Sequence, residues 1–173
     1  MLSVSPTITQ FLESPPKWTR QLVHNKRMKV LILHGPNLNL FGRREPHIYG
    51  STTLAQINER LVELASSLGV EIEIFQSNHE GALVDKLHER IDSVQGALLN
   101  PAGLTQHGIS LHDAIKAMPF PVLEIHLSNI AAREEWRHRS IIAPAARATI
   151  QGLGWRSYTT GLRALVELLR DAG

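Results

Sequence analysis

The 173-residue chain contains no cysteine. Disulfides, thiolate nucleophiles and thiolate metal ligands are therefore excluded. No apolar run approaches the ~20 residues that a membrane-spanning helix needs. No serine stands in a Gly-x-Ser-x-Gly elbow, and no Gly-x-x-x-x-Gly-Lys phosphate loop occurs. The nine histidines never fall into His-Glu-x-x-His or a comparable metal-ligand spacing. Gly152-Leu153-Gly154 lacks the third glycine of a dinucleotide fingerprint and follows the last strand, so it reads as a turn. There is no internal repeat and no low-complexity tract.

Charge is also unevenly supplied. Residues 1–29 hold Lys17, Arg20, Lys26, Arg27 and Lys29 against Glu13 alone, a net +4 in a chain whose total is +2, which leaves residues 30–173 at −2. The basicity belongs to the amino-terminal arm. The remainder lacks the basic surface of a nucleic-acid binder. Residues 1–28 have no periodicity and include Pro6, Pro15 and Pro16, and they lack the continuous apolar core of a secretory signal. Their shortage of acid also fits an organelle transit peptide, but we read them as an extension, with residues 29–173 as one catalytic-sized domain. Met28 stands where an alternative start would fall, and Phe11 and Trp18 are the arm's candidate anchors.

The stretch that organises the chain is His34 to Gly50, HGPNLNLFGRREPHIYG. Strand-to-helix loops in α/β domains usually run about 2–6 residues. A loop of this length after a first strand is a working loop. Gly35, Pro36 and Gly42 set its bends, while Asn37, Asn39, Arg43, Arg44 and Tyr49 supply polar groups.

From Lys29 onward strands and helices alternate. Short apolar runs predict strands at Lys29–His34, Val70–Gln76, Gly96–Asn100, Val122–His126 and near Thr149–Gln151. Three- and four-residue spacing predicts helices over about Thr53–Leu68, Gly81–Ile91, Gly108–Met118 and Tyr158–Leu169, with a short one around Arg133–Arg139. Thr53 and Gln56 form a capping box, and Gly69 ends that helix. This alternation implies a parallel sheet covered on both faces, and specifically a flavodoxin-like, doubly wound five-stranded sheet in the order 2-1-3-4-5.

Such sheets bind ligands beyond the carboxyl ends of their strands, where the strand order reverses. The residues there are Asn37, Arg44 and Tyr49 after the first strand, Asn78, His79 and Glu80 after the second, Asn100 at the third, and Glu124, His126, Ser128 and Asn129 at the fourth. Glu124 and His126 are two apart on a strand and share a face. They read either as an acid orienting a histidine or as an ordinary hydrogen-bonded strand end. Arg133 and Arg137, four apart, read either as hydroxyl or carboxylate ligands or as a solvated helix face. Acid–base chemistry by tyrosine and histidine is what this set permits. Tyrosine ionises near pH ~10 and needs a neighbouring cation to act as a base at neutral pH, and Arg43 and Arg44 lie on its loop. A flavodoxin-like protein that binds a small polar acid without chemistry fits the same residues, apart from an activated Tyr49.

Five segments, LILHGPNLNLFGRREPHIYG, FQSNHEGALVDKLH, LLNPAGLT, EIHLSN and AREEWRHRS, jointly resemble the type II 3-dehydroquinate dehydratases over about Lys29 to Leu169. The resemblance implies a cytoplasmic hydro-lyase of the shikimate or quinate pathway that needs no cofactor or metal and assembles as a homododecamer, a tetramer of trimers, with neither nucleic acid nor membrane as a partner. It implies dehydration of 3-dehydroquinate by anti elimination through an enolate. Tyr49 would be the base and Arg44 the cation that keeps it ionised. Asn37 would hold a water at the enolate oxygen, and His126, oriented by Glu124, would be the acid. Asn100 and the backbone at Leu127 and Ser128 would bind the carboxylate or nearby hydroxyls, Arg137 a ring hydroxyl, and Arg133 would pair with the lid. Asp113 would reach a neighbouring subunit's site. The family usually has Thr-His-Thr where this chain has Thr105-Gln106-His107, so either Gln106 or His107 takes the place of the substrate-binding histidine. Arg139 and Ile141-Ile142-Ala143-Pro144 also depart from the usual pattern.

Overall fold

The computed structural model describes residues 27–42 and 51–172. Five parallel strands, β1 (Lys29–His34), β2 (Glu71–Gln76), β3 (Gly96–Asn100), β4 (Val122–Ile125) and β5 (Ala148–Ile150), lie in the order β2-β1-β3-β4-β5. Four helices connect and cover them: α1 (Leu54–Leu68), α2 (Glu80–Glu89), α3 (Ile109–Ala117) and α4 (Arg156–Asp171). This is the doubly wound, flavodoxin-like arrangement expected from the alternation. Among the described residues no helix is long and apolar enough to cross a membrane.

Side-chain parity explains the two layers. Val30 and Ile32 of β1, with Leu98, Leu123 and Ile125, pack against Ile57 and Leu61 of α1 and Leu162, Leu165 and Val166 of α4. Leu31 and Leu33, with Ala97, Leu99 and Val122, pack against Leu83 and Leu87 of α2 and Leu111 and Ile115 of α3. Residues of opposite parity face opposite layers, which is why the central strands read as unbroken apolar runs. α1 begins at a capping box in which the Thr53 hydroxyl accepts from the Gln56 amide and the Gln56 side chain accepts from the Thr53 amide. It ends where Gly69 takes a left-handed φ of 69°. α3 has no capping side chain of its own; the Glu80 carboxylate, from the first turn of α2, accepts from the Leu111 amide at 2.9 Å.

Three expectations need correction. Arg133–Arg139 is not one helix. Two 3-10 turns, Ile130–Ala132 and Glu135–Arg137, are separated by Arg133 and Glu134 in extended conformations. Seven residues cannot sustain a nucleated α-helix without packing, and the Asn129 side chain, accepting from the Ala131 amide at 3.1 Å, starts a tight turn instead. The last helix is longer than its apolar stripe suggested, running two residues further at each end. The fourth strand stops at Ile125, although His126 still donates its amide to the Ile150 carbonyl at 2.9 Å.

The ends of β1 and β3 are drawn together at Gly35. Its amide donates to the Asn100 carbonyl at 2.8 Å, and a Cβ there would lie 2.6 Å from the Pro101 carbonyl oxygen. That neighbour is backbone and has no rotamer with which to yield. Gly35→Ala is therefore expected to lower stability by about 1–3 kcal/mol, read as a fall in the urea midpoint. An unchanged midpoint would mean that this contact relaxes without strain.

Candidate active site

The carboxyl ends of β1, β3 and β4 open into a cavity of about 220 Å³, at the small end of ligand pockets. It is lined by Asn37, Asn100, Gln106, His107, His126, Leu127, Ser128, Arg133 and Arg137, all of them expected at the rim from sequence, and by Phe41, Thr105 and Trp136, which were not. Asp113 is not among the lining residues. Its side chain is 73% exposed and accepts from His112 Nδ1 at 2.9 Å. Arg44 and Tyr49 lie outside the described residues, as does Arg43.

Each wall has its own support. Asn37 sits at a left-handed φ of 65°, ahead of the 3-10 turn Leu38–Leu40, and its amide donates to Asn78 Oδ1 at 2.8 Å. Asn78 follows β2, so the end of a neighbouring strand holds the loop. On the far wall, Arg133 and Arg137 bring their Nε atoms to the same Glu134 oxygen, at 3.2 and 3.1 Å. Arg133 Nη1 also donates to Ser128 Oγ at 3.3 Å, and the Arg137 guanidinium stacks 3.9 Å above the Trp136 ring. The two arginines thus converge on the cavity although no helix aligns them. Gln106 donates through Nε2 to the Arg137 carbonyl at 3.2 Å, while its buried Oε1 has no partner among the described residues. Both Gln106 and His107 line the cavity, so the geometry does not choose one over the other.

The expected Glu124–His126 pair is formed. His126 Nε2 lies 2.8 Å from Glu124 Oε1 at the buried end of β4. A carboxylate only accepts, so Nε2 carries the proton and Nδ1 is the ring nitrogen left for a ligand. Glu124 is completely buried, and it is satisfied from elsewhere too: Ser140 Oγ donates to Oε1 at 2.7 Å and Thr149 Oγ1 to Oε2 at 3.3 Å. Sequence reasoning missed both. Thr149 was within reach, since it faces Glu124 in the register of β4 and β5. Ser140 carried no periodic signal.

A second polar cluster also went unread. His34, the last residue of β1, is fully buried, with Nδ1 2.7 Å from the Tyr158 hydroxyl and Nε2 2.9 Å from Asn58 Oδ1. Burial lowers its pKa from an ordinary 6.5 to about 4, against the opposing pull of the Asn58 hydrogen bond. Burial also pushes the Tyr158 phenol above its ordinary value, with a bond from Asn100 acting the other way. The imidazole is therefore neutral in the folded protein, whereas in the unfolded chain it protonates below about pH 6.5. Between these values the unfolded state binds the extra proton, so stability falls as pH drops from 6.5 towards 4, by on the order of 3 kcal/mol for this group. Urea midpoints at pH 7, 5.5 and 4.5 are expected to fall more steeply for the natural protein than for His34→Gln. Parallel curves would remove His34 as a cause.

Among the described residues no three of His, Asp and Glu gather as metal ligands. What the cavity does assemble is a carboxylate-backed imidazole, two guanidinium groups and several amides around a space for a small polar molecule.

Comparison with known proteins bears on this directly. Residues 28–166 match the model of the family described as Dehydroquinase class II. A relative named 3-dehydroquinate dehydratase, from Desulforudis audaxviator, is 58% identical over 142 residues, which cover 82% of this chain and 95% of the relative. Among solved structures, a type II dehydroquinase from Propionibacterium acnes has a TM-score of 0.78 at 38% identity, covering 82% of this chain and 99% of that one. Another, from Butyrivibrio crossotus, has a TM-score of 0.79 at 35% identity, covering 80% and 97%.

Proposed function

The chain belongs to the class II dehydroquinase family, and on that premise we propose that it dehydrates 3-dehydroquinate to 3-dehydroshikimate by anti elimination through an enolate. Tyr49, ionised beside Arg44, takes a proton from C2. The electron pair moves onto the carbonyl oxygen, where a water held by Asn37 stabilises the enolate. The enolate then re-forms the ketone, the C1–O bond breaks, and the departing hydroxyl takes a proton from His126 to leave as water. The elimination needs a base and an acid at two places, and the cavity supplies the acid through a histidine whose far nitrogen is held by a buried carboxylate. That pairing is the observation that carries the reading.

The remaining rim residues bind. Asn100 and the backbone at Leu127 and Ser128 take the carboxylate or nearby hydroxyls, Arg137 takes a ring hydroxyl, and Arg133 pairs with the lid that carries Arg44 and Tyr49. Gln106 or His107 takes another hydroxyl. Asp113, exposed and away from its own chain's cavity, serves the site of a neighbouring subunit in a homododecamer that works in the cytoplasm without a cofactor.

Mixing purified protein with 3-dehydroquinate in the presence of a chelator tests the reaction. A rapid rise in the ultraviolet absorbance of the conjugated enone product is expected. No rise from folded, fully assembled protein would overturn the reading. Light scattering tests the assembly, and a mass below twelve chains would overturn that part alone.

A further inference from the structure

Trp136 is 61% exposed and belongs to neither apolar layer. Burial therefore does not account for an indole at this place. It lines the cavity beside Arg137, and the two side chains meet: the guanidinium carbon of Arg137 lies 3.9 Å from the centre of the ring. Both residues stand on the 3-10 turn Glu135–Arg137. Side chains one residue apart on a helical surface do not face each other, so adjacency alone does not produce the contact. The guanidinium is drawn onto the electron-rich face of the indole.

The rest of Arg137 is held as well. Its Nε donates to Glu134 Oε2 at 3.1 Å, and its backbone carbonyl accepts from Gln106 Nε2 at 3.2 Å. The Gln106 bond fixes the backbone. The ring face fixes the plane of the guanidinium, and the Nε bond fixes its rotation within that plane. Stacking occupies the flat faces of a guanidinium and leaves its edge donors free. Neither Nη group of Arg137 has a hydrogen-bond partner among the described residues. In Arg133, by contrast, Nη1 is taken up by Ser128.

We propose that Trp136 is a positioning residue: its ring sets the plane in which Arg137 presents its Nη donors to the ligand. The inference deepens the function proposed above and rests on it for the ligand group, the ring hydroxyl assigned to Arg137. That hydroxyl is not the one that leaves. Its hydrogen bonds are made alike in the ground and transition states, so Trp136 acts on KM more than on kcat. Another aromatic face can replace the indole. An aliphatic side chain cannot.

Kinetics of Trp136→Leu, Trp136→Phe, Arg137→Ala and the double variant Trp136→Leu/Arg137→Ala test this. In Trp136→Leu, KM for 3-dehydroquinate is expected to rise about three- to five-fold, the worth of one cation–π contact near the surface. Its kcat should stay within about two-fold of the natural enzyme. Trp136→Phe should recover most of the loss. On top of Arg137→Ala, Trp136→Leu should add nothing, because the group through which the ring acts is gone. Three results would each overturn the inference and leave the proposed reaction standing: an unchanged KM in Trp136→Leu, a Trp136→Phe enzyme as impaired as Trp136→Leu, or the same further rise on top of Arg137→Ala. So would a lower mass of Trp136→Leu in light scattering, which would make Trp136 a subunit contact. One measurement needs no substrate. With Trp18→Phe and Trp155→Phe in place, Trp136 is the sole tryptophan. Arg137→Ala uncovers one face of its ring and is expected to raise quenching by acrylamide, by up to about two-fold. Unchanged quenching would overturn the inference even if the protein proved inert towards 3-dehydroquinate, a result that would by itself overturn only the reaction.

Discussion

Tyr49→Phe is expected to abolish turnover of 3-dehydroquinate while the sheet and its helices survive. A phenol loses its proton only near pH ~10, so at neutral pH a tyrosine serves as a base only with a cation close by. Phenylalanine keeps the ring and removes the sole atom that can accept the proton. A positioned general base is worth on the order of 10²–10⁴-fold. Of the two imidazoles that line the described part of the cavity, His126 is assigned the opposite task on the leaving group and His107 is a candidate ligand of a substrate hydroxyl. The substitution removes one hydroxyl and adds no bulk, and the described core is built from β1, β3, β4 and the four helices. The variant should therefore unfold at the same urea concentration as the natural protein. Wild-type turnover in Tyr49→Phe would remove the proposed mechanism. Arg44→Ala is the graded form of the same test. Without the cation the phenolate is harder to form, so the acidic limb of the rate profile should move to higher pH, and Arg44→Lys should return it part of the way.

Glu124→Gln is expected to cut kcat by about 10²-fold with little loss of stability. The two effects separate because glutamine can satisfy the same neighbours. Its oxygen can accept from His126 Nε2 and Ser140 Oγ, which now converge on Oε1, and its NH2 can donate to Thr149 Oγ1, which now donates to Oε2. Only the second N–H of that NH2 lacks a named partner, so the cost stays well below that of breaking a buried ion pair. The negative charge is what disappears, and with it the support for an imidazole that must carry and deliver a proton. Glu124→Ala should do worse on both counts, because it opens a void at a fully buried position and takes away the acceptor shared by His126, Ser140 and Thr149. A Glu124→Gln enzyme with full kcat would reduce the carboxylate to a structural hydrogen-bond acceptor. Comparing kcat with urea midpoints for the two variants settles which role it has.

Much of this site could be read from local spacing. The i, i+2 relation of Glu124 and His126 on a strand placed both on one side, and they meet at 2.8 Å. Strand ends carrying Asn37, Asn100 and Ser128 pointed to one rim because a parallel sheet puts all its carboxyl ends on the same edge. By contrast, Arg133 and Arg137 converge for a reason that spacing did not suggest. They share Glu134 across two separate 3-10 turns rather than standing on one helical face.

The sequence by itself determined the elements, because periodicity, capping and turn residues act within a few residues of chain. β1 and β3 lie at Lys29–His34 and Gly96–Asn100 as read, the Thr53–Gln56 box opens α1, and the alternation imposed the strand order. Only the tertiary structure decided what meets across the layers. His34 finds Tyr158 at a separation of 124 residues, Glu124 finds Ser140 and Thr149, and the ends of β1 and β3 close on Gly35 because nothing larger than hydrogen fits beside the Pro101 carbonyl. Such contacts depend on where whole elements come to rest against one another, and a buried polar group takes whichever partner that packing brings within reach.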